Sequence, residues 1–226
     1  MMDFLTQWAP HLVEMFPQFV DSIVQTLIMI VVVGSISLIF GVIFGVILVV
    51  TREGDIMENK FVYTVLGKII DLFRAIPFVI LIMVLGDVTK LVSGTSIGLK
   101  GSFFPLIVGT IPFFARQIEQ AIAEIDRGLV EASEAMGLTP LQIMIRVYLR
   151  ESVPSIIRAT TITFISLIGL TAIVGAIGGG GVGAFCYNYG YSKQWNDIIW
   201  AGVIVLVIIT IAIQTIGNYF VRKTTH

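Results

Sequence analysis

Residues 23–50 read IVQTLIMIVVVGSISLIFGVIFGVILVV, and no charged side chain interrupts them. At a rise of about 1.5 Å per residue, a helix of this length exceeds the hydrocarbon core of a bilayer, which is about 30 Å thick. The stretch therefore predicts a membrane-spanning helix. Within it, Gly41 and Gly45 form a G-x-x-x-G pair, which permits close helix packing and which we expect to be used inside the chain.

The composition of the whole chain is typical of an integral membrane protein. Of its 226 residues, 56% are hydrophobic and 13% are charged, and that charged share is about half the average for soluble domains. The formal net charge of −1 supplies no excess of cations for binding nucleic acid. A lone Cys186 and two histidines provide neither an internal disulfide nor a Cys/His metal site. Composition thus excludes a soluble globular domain and disfavours nucleic acid as a partner.

Four more apolar stretches follow the first one. We predict five membrane spans over about residues 23–50, 64–85, 103–122, 154–175 and 198–218. No linker separates them, so a single all-α transmembrane domain is expected over residues 1–226, in contact with membrane lipid.

Charged side chains occur at the ends of two of these spans. Asp71 and Arg74 are spaced i,i+3 in the second span, and Arg116 and Glu119 have the same spacing at the end of the third. An ionisable side chain inside a membrane often marks a functional site, but this argument weakens at a helix end. We therefore expect these four side chains to pair with one another, or to extend to the membrane surface, rather than to bind substrate.

The basic residues are unevenly distributed between the two sets of loops. One set contains only Lys90, Lys100 and Lys193. The other eleven lie in or beside the opposite loops: Arg52, Lys60, Lys68, Arg74, Arg116, Arg127, Arg146, Arg150, Arg158, Arg222 and Lys223. Because loops rich in Lys and Arg remain in the cytoplasm, we predict a multi-pass plasma-membrane protein with its N-terminus outside and its C-terminus in the cytoplasm.

The longest loop on the cytoplasmic side, residues 123–153, contains two sets of helix signals. Asp126 is a candidate N-cap for a short helix, and Gly137 is placed to adopt a left-handed conformation after it. Thr139 and Gln142 form a capping box for a second short helix. Two interpretations of these helices remain open at this point, an amphipathic segment lying on the bilayer and a docking element for another protein.

The order of residues in this loop resembles the EAA signature of ATP-binding-cassette (ABC) importer permeases. That signature is Glu-Ala-Ala, three residues, Gly, nine residues, Ile-x-Leu-Pro, and this chain has Glu131-Ala132-Ser133, Gly137 and Val147-Tyr148-Leu149. Arg150 stands where the signature has Pro. The resemblance implies a type I importer permease whose short coupling helices dock on a cytoplasmic ATPase subunit. The ATPase-coupling residues that it implies are Glu131, Ala132, Ser133, Gly137, Thr139, Val147 and Leu149.

Further segments resemble the permease subunit of methionine ABC importers. They are Gly94–Leu99, Pro112-Phe113 with Ala115-Arg116, Gly128-Leu129, Ala135–Gly137, Thr139-Pro140 and Tyr189–Tyr191. The resemblance implies a homodimer, two ATPase subunits and an extracytoplasmic methionine-binding protein. It also implies import of L- or D-methionine by alternating access at the homodimer axis. A permease for another small polar solute or amino acid is the alternative, since sister permeases share the coupling loop.

A nucleotide site in this chain itself is not expected. Gly178, Gly180 and Gly183 satisfy G-x-G-x-x-G, but that motif binds dinucleotides only within a βαβ unit, and a membrane helix precedes it here. The role that we predict for residues 175–183 is an irregular end of the fourth span. The chain contains no G-x-x-x-x-G-K-[ST] loop. We therefore expect it to bind no cofactor and to be no enzyme, with ATP and Mg²⁺ bound by the partner ATPase.

The fourth span carries a polar stripe. Thr160, Thr163 and Thr171 lie close to one face, which predicts either the lining of a translocation pathway or hydrogen bonding between helices. Ile173 and Val174 follow and are candidates for an apolar gate, with simple packing as the alternative.

Two other classes of membrane protein fit the sequence less well. An intramembrane enzyme needs acids, histidines or a nucleophile near the bilayer centre, and the spans supply none there. A channel or structural subunit has no reason to carry the spacing found over residues 131–149.

Overall fold

A computed structural model describes residues 9–225 of the chain, and these residues form helices without a strand. In chain order the α-helices are α1 (Pro10–Glu14), α2 (Phe16–Thr51), α3 (Lys60–Ala75), α4 (Phe78–Val84), α5 (Gly86–Ser93), α6 (Gly98–Ala123), α7 (Arg127–Ala135), α8 (Pro140–Ile143), α9 (Val153–Val174), α10 (Gly181–Phe185) and α11 (Asn196–Thr224). Three π-helical segments join or extend them: Met144–Leu149, Gly175–Gly179 and Cys186–Tyr191. The all-α membrane fold predicted from the sequence is confirmed.

Four of these helices are long and apolar enough to cross a membrane. They are α2, α6, α11, and α9 together with its π-helical extension to Gly179. Each runs past the predicted span at both ends, and the largest single extension is at the start of α2, which begins at Phe16 rather than Ile23. Pro17 fits there because the first turn of a helix needs no donor from it.

The predicted second span, residues 64–85, is not one continuous helix. It is divided at Pro77 into α3 and α4, and Ile76 before the proline is extended, with φ −77° and ψ 122°. Proline disfavours the helical conformation of the residue before it, which explains the break. The predicted span is therefore made of two helices, and a crossing made by α3 and α4 together remains a prediction.

The chain divides into two compact units, of which the first contains residues 9–35, 77–108 and 164–213. One of its cores consists of Met29, Val33, Leu106, Leu167 and Val174. In another part of this unit, the Asp197 carboxylate accepts hydrogen bonds from the backbone N–H groups of His11 and Leu12, at 3.0 and 3.1 Å. These bonds attach α1 to the start of α11.

The second unit contains residues 36–76, 109–163 and 214–225. Its main core brings α2 and α6 together with α7, α8 and the π-helical segment after α8. Gly41 and Gly45 permit the close approach of α2 and α6, since a Cβ on Gly45 would lie 2.6 Å from the Ile118 side chain and 2.8 Å from the Ala115 carbonyl oxygen. The predicted use of the G-x-x-x-G pair inside the chain is confirmed.

Candidate coupling site and translocation pathway

The first predicted coupling helix forms as α7. Asp126 caps it, and the Oδ1 atom of Asp126 accepts a hydrogen bond from the Gly128 N–H at 2.9 Å. At the other end Gly137 has φ +80°, and the Leu138 N–H donates to the Ser133 carbonyl at 3.1 Å. A left-handed glycine with this backbone bond ends a helix sharply, because it satisfies a carbonyl that the helix leaves open. The predicted cap and the predicted left-handed glycine are both confirmed.

The second predicted coupling helix begins with the predicted capping box. The Thr139 hydroxyl accepts from the Gln142 N–H at 3.4 Å, and the Gln142 side chain accepts from the Thr139 N–H at 2.9 Å. Pro140 occupies the first helical position. After Ile143 the chain continues as a π-helical segment to Leu149, which places Val147 and Leu149 on a wider turn than an α-helix has. No pattern in the sequence predicted this change from an α-helix to a π-helix.

The residues predicted to couple to an ATPase fall into two sets in the structure. Glu131, Ala132, Gly137 and Thr139 are exposed. Ser133, Val147 and Leu149 instead hold the segment to the core of the second unit. Ser133 is buried where the signature has Ala, and its hydroxyl donates to the Leu129 carbonyl at 2.7 Å, so the extra polar atom is satisfied.

Four large apolar side chains in or beside α7 and α8 are also exposed, and sequence reasoning did not single them out. They are Leu129, Met136, Leu141 and Ile145, with exposed fractions between 46% and 72%. We call these four side chains the docking surface. Large exposed apolar side chains outside a membrane span are typical of a protein interface when they form a patch. The spacing i,i+4 of Leu141 and Ile145 was available in the sequence as a signal.

The four ionisable side chains at helix ends pair as expected. The Arg116 guanidinium donates two hydrogen bonds to the Asp71 carboxylate, at 3.0 and 2.7 Å, and a third to Glu119 at 2.6 Å. Arg74 contacts Asp71 at 3.5 Å. The Arg116–Asp71 pair joins α3 to α6 inside the second unit, and the other two pairs lie within one helix each, which agrees with a structural role.

The polar stripe of α9 faces the protein interior for most of its length. Thr163 and Thr171 are only 1% and 2% exposed, and each donates to a carbonyl of its own helix, Ala159 and Ile168. Thr160 is partly exposed and bonds the Ile156 carbonyl at 2.7 Å. The sequence predicted a common face for these threonines but could not tell which way that face points. Their role in the pathway remains a prediction.

The two candidate gate residues point in different directions. Val174 is buried in the core with Met29 and Leu167, whereas Ile173 is 36% exposed. Simple packing was the alternative to an apolar gate for this pair, and it is what the structure shows for Val174. The exposed face of α9 also carries Ile162, Ser166 and Gly169.

The glycine-rich end of α9 is irregular, as predicted. The φ angles of Gly178, Gly180 and Gly181 are +99°, +85° and +76°, and the chain turns back through them. Two side chains of α2 hold the turn, because Gln25 and Thr26 accept hydrogen bonds, both at 2.9 Å, from the N–H groups of Gly181 and Val182. The segment follows a membrane helix and not a strand, so the G-x-G-x-x-G match has no βαβ context.

Metal binding has no candidate site in the part of the chain that the structure describes. Within residues 9–225, no group of three His, Cys, Asp or Glu side chains is placed to hold an ion.

Comparisons with known proteins agree with this geometry. A model of the family described as "binding-protein-dependent transport system inner membrane component" matches residues 38–226. The probable D-methionine transport system permease protein MetI of Vibrio cholerae serotype O1 is 39% identical over 202 residues, which cover 89% of this chain and 90% of that protein. The methionine import system permease protein MetP of Bacillus subtilis is 40% identical over 172 residues, which cover 76% and 78% of the two chains.

A solved structure gives the same result for the fold. A chain of the MetNI methionine ABC transporter, crystallised in an inward-facing conformation, superposes with a TM-score of 0.92 and is 41% identical. The match covers 94% of this chain and 99% of that one. The resemblance drawn from residues 131–149 is thereby confirmed, and this chain belongs to the family of binding-protein-dependent transport system inner membrane components.

Proposed function

We propose that this chain is the permease subunit of an ATP-driven methionine importer. The observation that carries the proposal is the coupling site, in which two capped helices, α7 and α8, present Glu131 and the docking surface outside the membrane spans. The methionine assignment is supported by the names of the relatives, which are methionine permeases of Vibrio cholerae and Bacillus subtilis.

The partners follow from this role. A second copy of the chain completes the pathway, two ATPase subunits bind the docking surfaces, and an extracytoplasmic binding protein delivers methionine. ATP hydrolysis belongs to the ATPase subunits, which hold ATP and Mg²⁺. The support within this chain is the absence of a phosphate-binding loop anywhere in its sequence. The chain itself binds, transmits and opens a pathway, and it performs no chemical step.

The orientation places α7 and α8 on the cytoplasmic face. It is supported by the distribution of Lys and Arg, with eleven on the side of these helices and three on the other. The N-terminus is then outside and the C-terminus is in the cytoplasm.

The mechanism is alternating access driven from this face. When ATP binding draws the two ATPase subunits together, the docked α7 and α8 move with them. Because α7 and α8 share one core with α2 and α6, a displacement of α7 and α8 also displaces these spans. Rocking of the spans about the two-fold axis then opens the pathway alternately to each side.

Uptake of methionine by cells tests the proposal. In a strain that lacks every other route for methionine, deletion of this gene should abolish uptake of labelled methionine, and the gene restored on a plasmid should recover it. Unchanged uptake after deletion would contradict the methionine assignment. If uptake of another amino acid or small polar solute were lost instead, the alternative substrate class would replace methionine.

A further inference from the structure

The loop between α2 and α3, residues 52–59, contains a buried carboxylate that the coupling motif does not explain. The Asp55 side chain is 2% exposed. Its Oδ1 atom accepts a hydrogen bond from the Tyr148 phenol at 2.7 Å, and its Oδ2 atom accepts from the Arg52 Nε at 2.9 Å. The Ile56 N–H donates to the same carboxylate at 2.9 Å. Tyr148 lies in the π-helical segment after α8, so the bond joins the first cytoplasmic loop to the coupling segment.

A second contact joins the same loop to the other coupling helix. Arg127, the first residue of α7, donates a hydrogen bond from its guanidinium to the Gly54 carbonyl. Gly54 has φ +73°, and its N–H donates to the Glu58 carboxylate at 2.8 Å. The loop therefore bonds to both parts of the coupling segment, through Asp55 at one point and through Gly54 at another.

The loop is also fixed to the helix that precedes it. The Met57 N–H donates to the Val50 carbonyl at 3.0 Å, and the Asn59 N–H donates to the Thr51 carbonyl at 2.9 Å. The Asn59 side chain caps α3 by accepting from the Val62 N–H at 3.1 Å. Because each end of the loop is bonded in this way, a displacement of its middle is carried to α2 and to α3.

Glu131 lies beside this junction. A cavity of about 30 Å³ separates the loop from α7, and its walls include Asp55, Arg127, Glu131, Glu134 and Tyr148. A space of this size holds about one water molecule. Glu131, the glutamate of the coupling motif, therefore lines the same cavity as the loop of residues 52–59.

The Asp55–Tyr148 bond is worth more than an exposed contact between loops. Burying a carboxylate is costly unless its oxygens are paired and hydrogen-bonded, and here the described partners include an arginine, a phenol and a backbone N–H. Burial, and then the hydrogen bond and charge of Asp55, raise the pKa of Tyr148, so the phenol stays protonated and remains a donor at any physiological pH. A loop that only connected two helices would not require such an arrangement.

We propose that Asp55 and Tyr148, assisted by Arg127, form a latch that passes the movement of the coupling helices directly to α2 and α3. The inference rests on the proposed function, and it adds a route for the movement besides the core that α7 and α8 share with α2 and α6. Asp55 and Tyr148 act as positioning residues: they contact neither methionine nor ATP. The latch makes α7 and α8 move together with the spans, so that ATP hydrolysis is accompanied by transport.

The test is the number of ATP molecules hydrolysed per methionine transported by the assembled transporter in lipid vesicles. Tyr148→Phe removes one hydroxyl and leaves the ring in the core. We expect this variant to bind the ATPase subunits normally and to raise that ratio by at least about threefold, because phenylalanine cannot donate a hydrogen bond to the Asp55 carboxylate. Asp55→Ala should have the same effect. Asp55→Asn retains an oxygen that accepts from Tyr148 and should remain closer to the unmodified protein.

The control is Tyr63→Phe in α3. The Tyr63 ring packs against Leu48 and Ile70, and no hydrogen bond of its hydroxyl is found within residues 9–225. This variant should leave the ratio unchanged. Arg127 is exposed, so Arg127→Gln should assemble even if Asp55→Ala assembles poorly. This variant should also raise the ratio.

Combining Tyr148→Phe with Asp55→Ala tests whether the two residues act as a pair. The double variant should be no worse than Asp55→Ala alone, because that substitution already removes the Asp55–Tyr148 bond. Unchanged ratios in Tyr148→Phe, or fully additive effects in the double variant, would overturn the latch while leaving the proposed function intact. If the unmodified chain neither bound an ATPase nor moved methionine, the proposed function itself would fail.

Discussion

Gly137 ends α7 with φ +80°, and a Cβ added to it would meet no atom within 4 Å. The cost of a side chain at this position is therefore backbone strain alone, about 1 to 2 kcal/mol for a β-branched residue. Gly137→Val should leave membrane insertion and dimerisation near normal, because the helix end lies outside the spans. It should weaken ATPase binding or separate ATP hydrolysis from transport, as measured by co-purification and by ATP-driven uptake.

Two comparisons sharpen this prediction. Gly86→Val is the control, since Gly86 also has open space around it but has no positive φ. Glu131→Ala should give a milder defect than Gly137→Val, because it removes one exposed carboxylate and leaves the course of the chain unchanged. Wild-type co-purification and uptake in Gly137→Val would show that α7 is not a coupling element.

Gly175 illustrates the opposite kind of constraint, a close approach between backbones. A Cβ on Gly175 would lie 2.5 Å from the Ala184 nitrogen and 2.8 Å from the Gly180 carbonyl oxygen. Because backbone atoms cannot move aside easily, Gly175→Ala should lower the free energy of unfolding by about 1 to 3 kcal/mol. The midpoint of thermal unfolding in detergent measures the effect. Gly169→Ala, with no atom within 4 Å of its added Cβ, should leave the midpoint unchanged or raise it.

At the scale of elements, α3 is held to α6 by Arg116. This side chain is 16% exposed and donates two parallel bonds to Asp71, so Arg116→Met leaves both Asp71 and Glu119 without their main partner. We expect a loss of about 1 to 3 kcal/mol in the free energy of unfolding, which thermal unfolding would detect. Arg116→Lys should recover only part of it, because an ammonium group lacks the planar fork.

Arg74→Met provides the matched comparison. Arg74 also contacts Asp71, but at 3.5 Å and between two exposed side chains, where an ion pair contributes about 0 to 1 kcal/mol. An equal loss in Arg74→Met and Arg116→Met would contradict the role given to Arg116.

How well an element could be predicted from the sequence depends on how far apart along the chain its determining residues lie. The caps of α7 and α8 depend on residues two or three positions apart, such as Thr139 and Gln142, so the local sequence was sufficient. Pro77 was also visible, and the break that it causes in the second span was predictable in principle. The Asp55–Tyr148 bond joins residues 93 positions apart, and no local signal relates them.

Periodicity alone left one feature of α9 undecided. It placed Thr160, Thr163 and Thr171 near one face, and that grouping depends only on the helical repeat. Whether the face meets water, lipid or protein depends on the other helices. The structure buries Thr163 and Thr171, which the spacing could not foresee.

At the scale of the whole molecule, the orientation in the membrane can be tested by labelling. In a Cys186→Ser background, a cysteine replacing Gly94 should react with an impermeant thiol reagent added outside intact cells. A cysteine replacing Gly137 should react only after the membrane is permeabilised. The reverse result would overturn the proposed orientation and, with it, the assignment of α7 and α8 to the ATPase.

The central claim is that this chain moves methionine at the expense of ATP hydrolysed by a partner. The most direct measurement purifies the chain with whatever ATPase accompanies it, reconstitutes the complex in lipid vesicles with its binding protein, and follows labelled methionine. We predict transport that requires hydrolysable ATP on the face carrying α7 and α8, and that stops with a non-hydrolysable analogue. Methionine flux that was equal with and without ATP, or a preparation that contained no ATPase, would contradict the account.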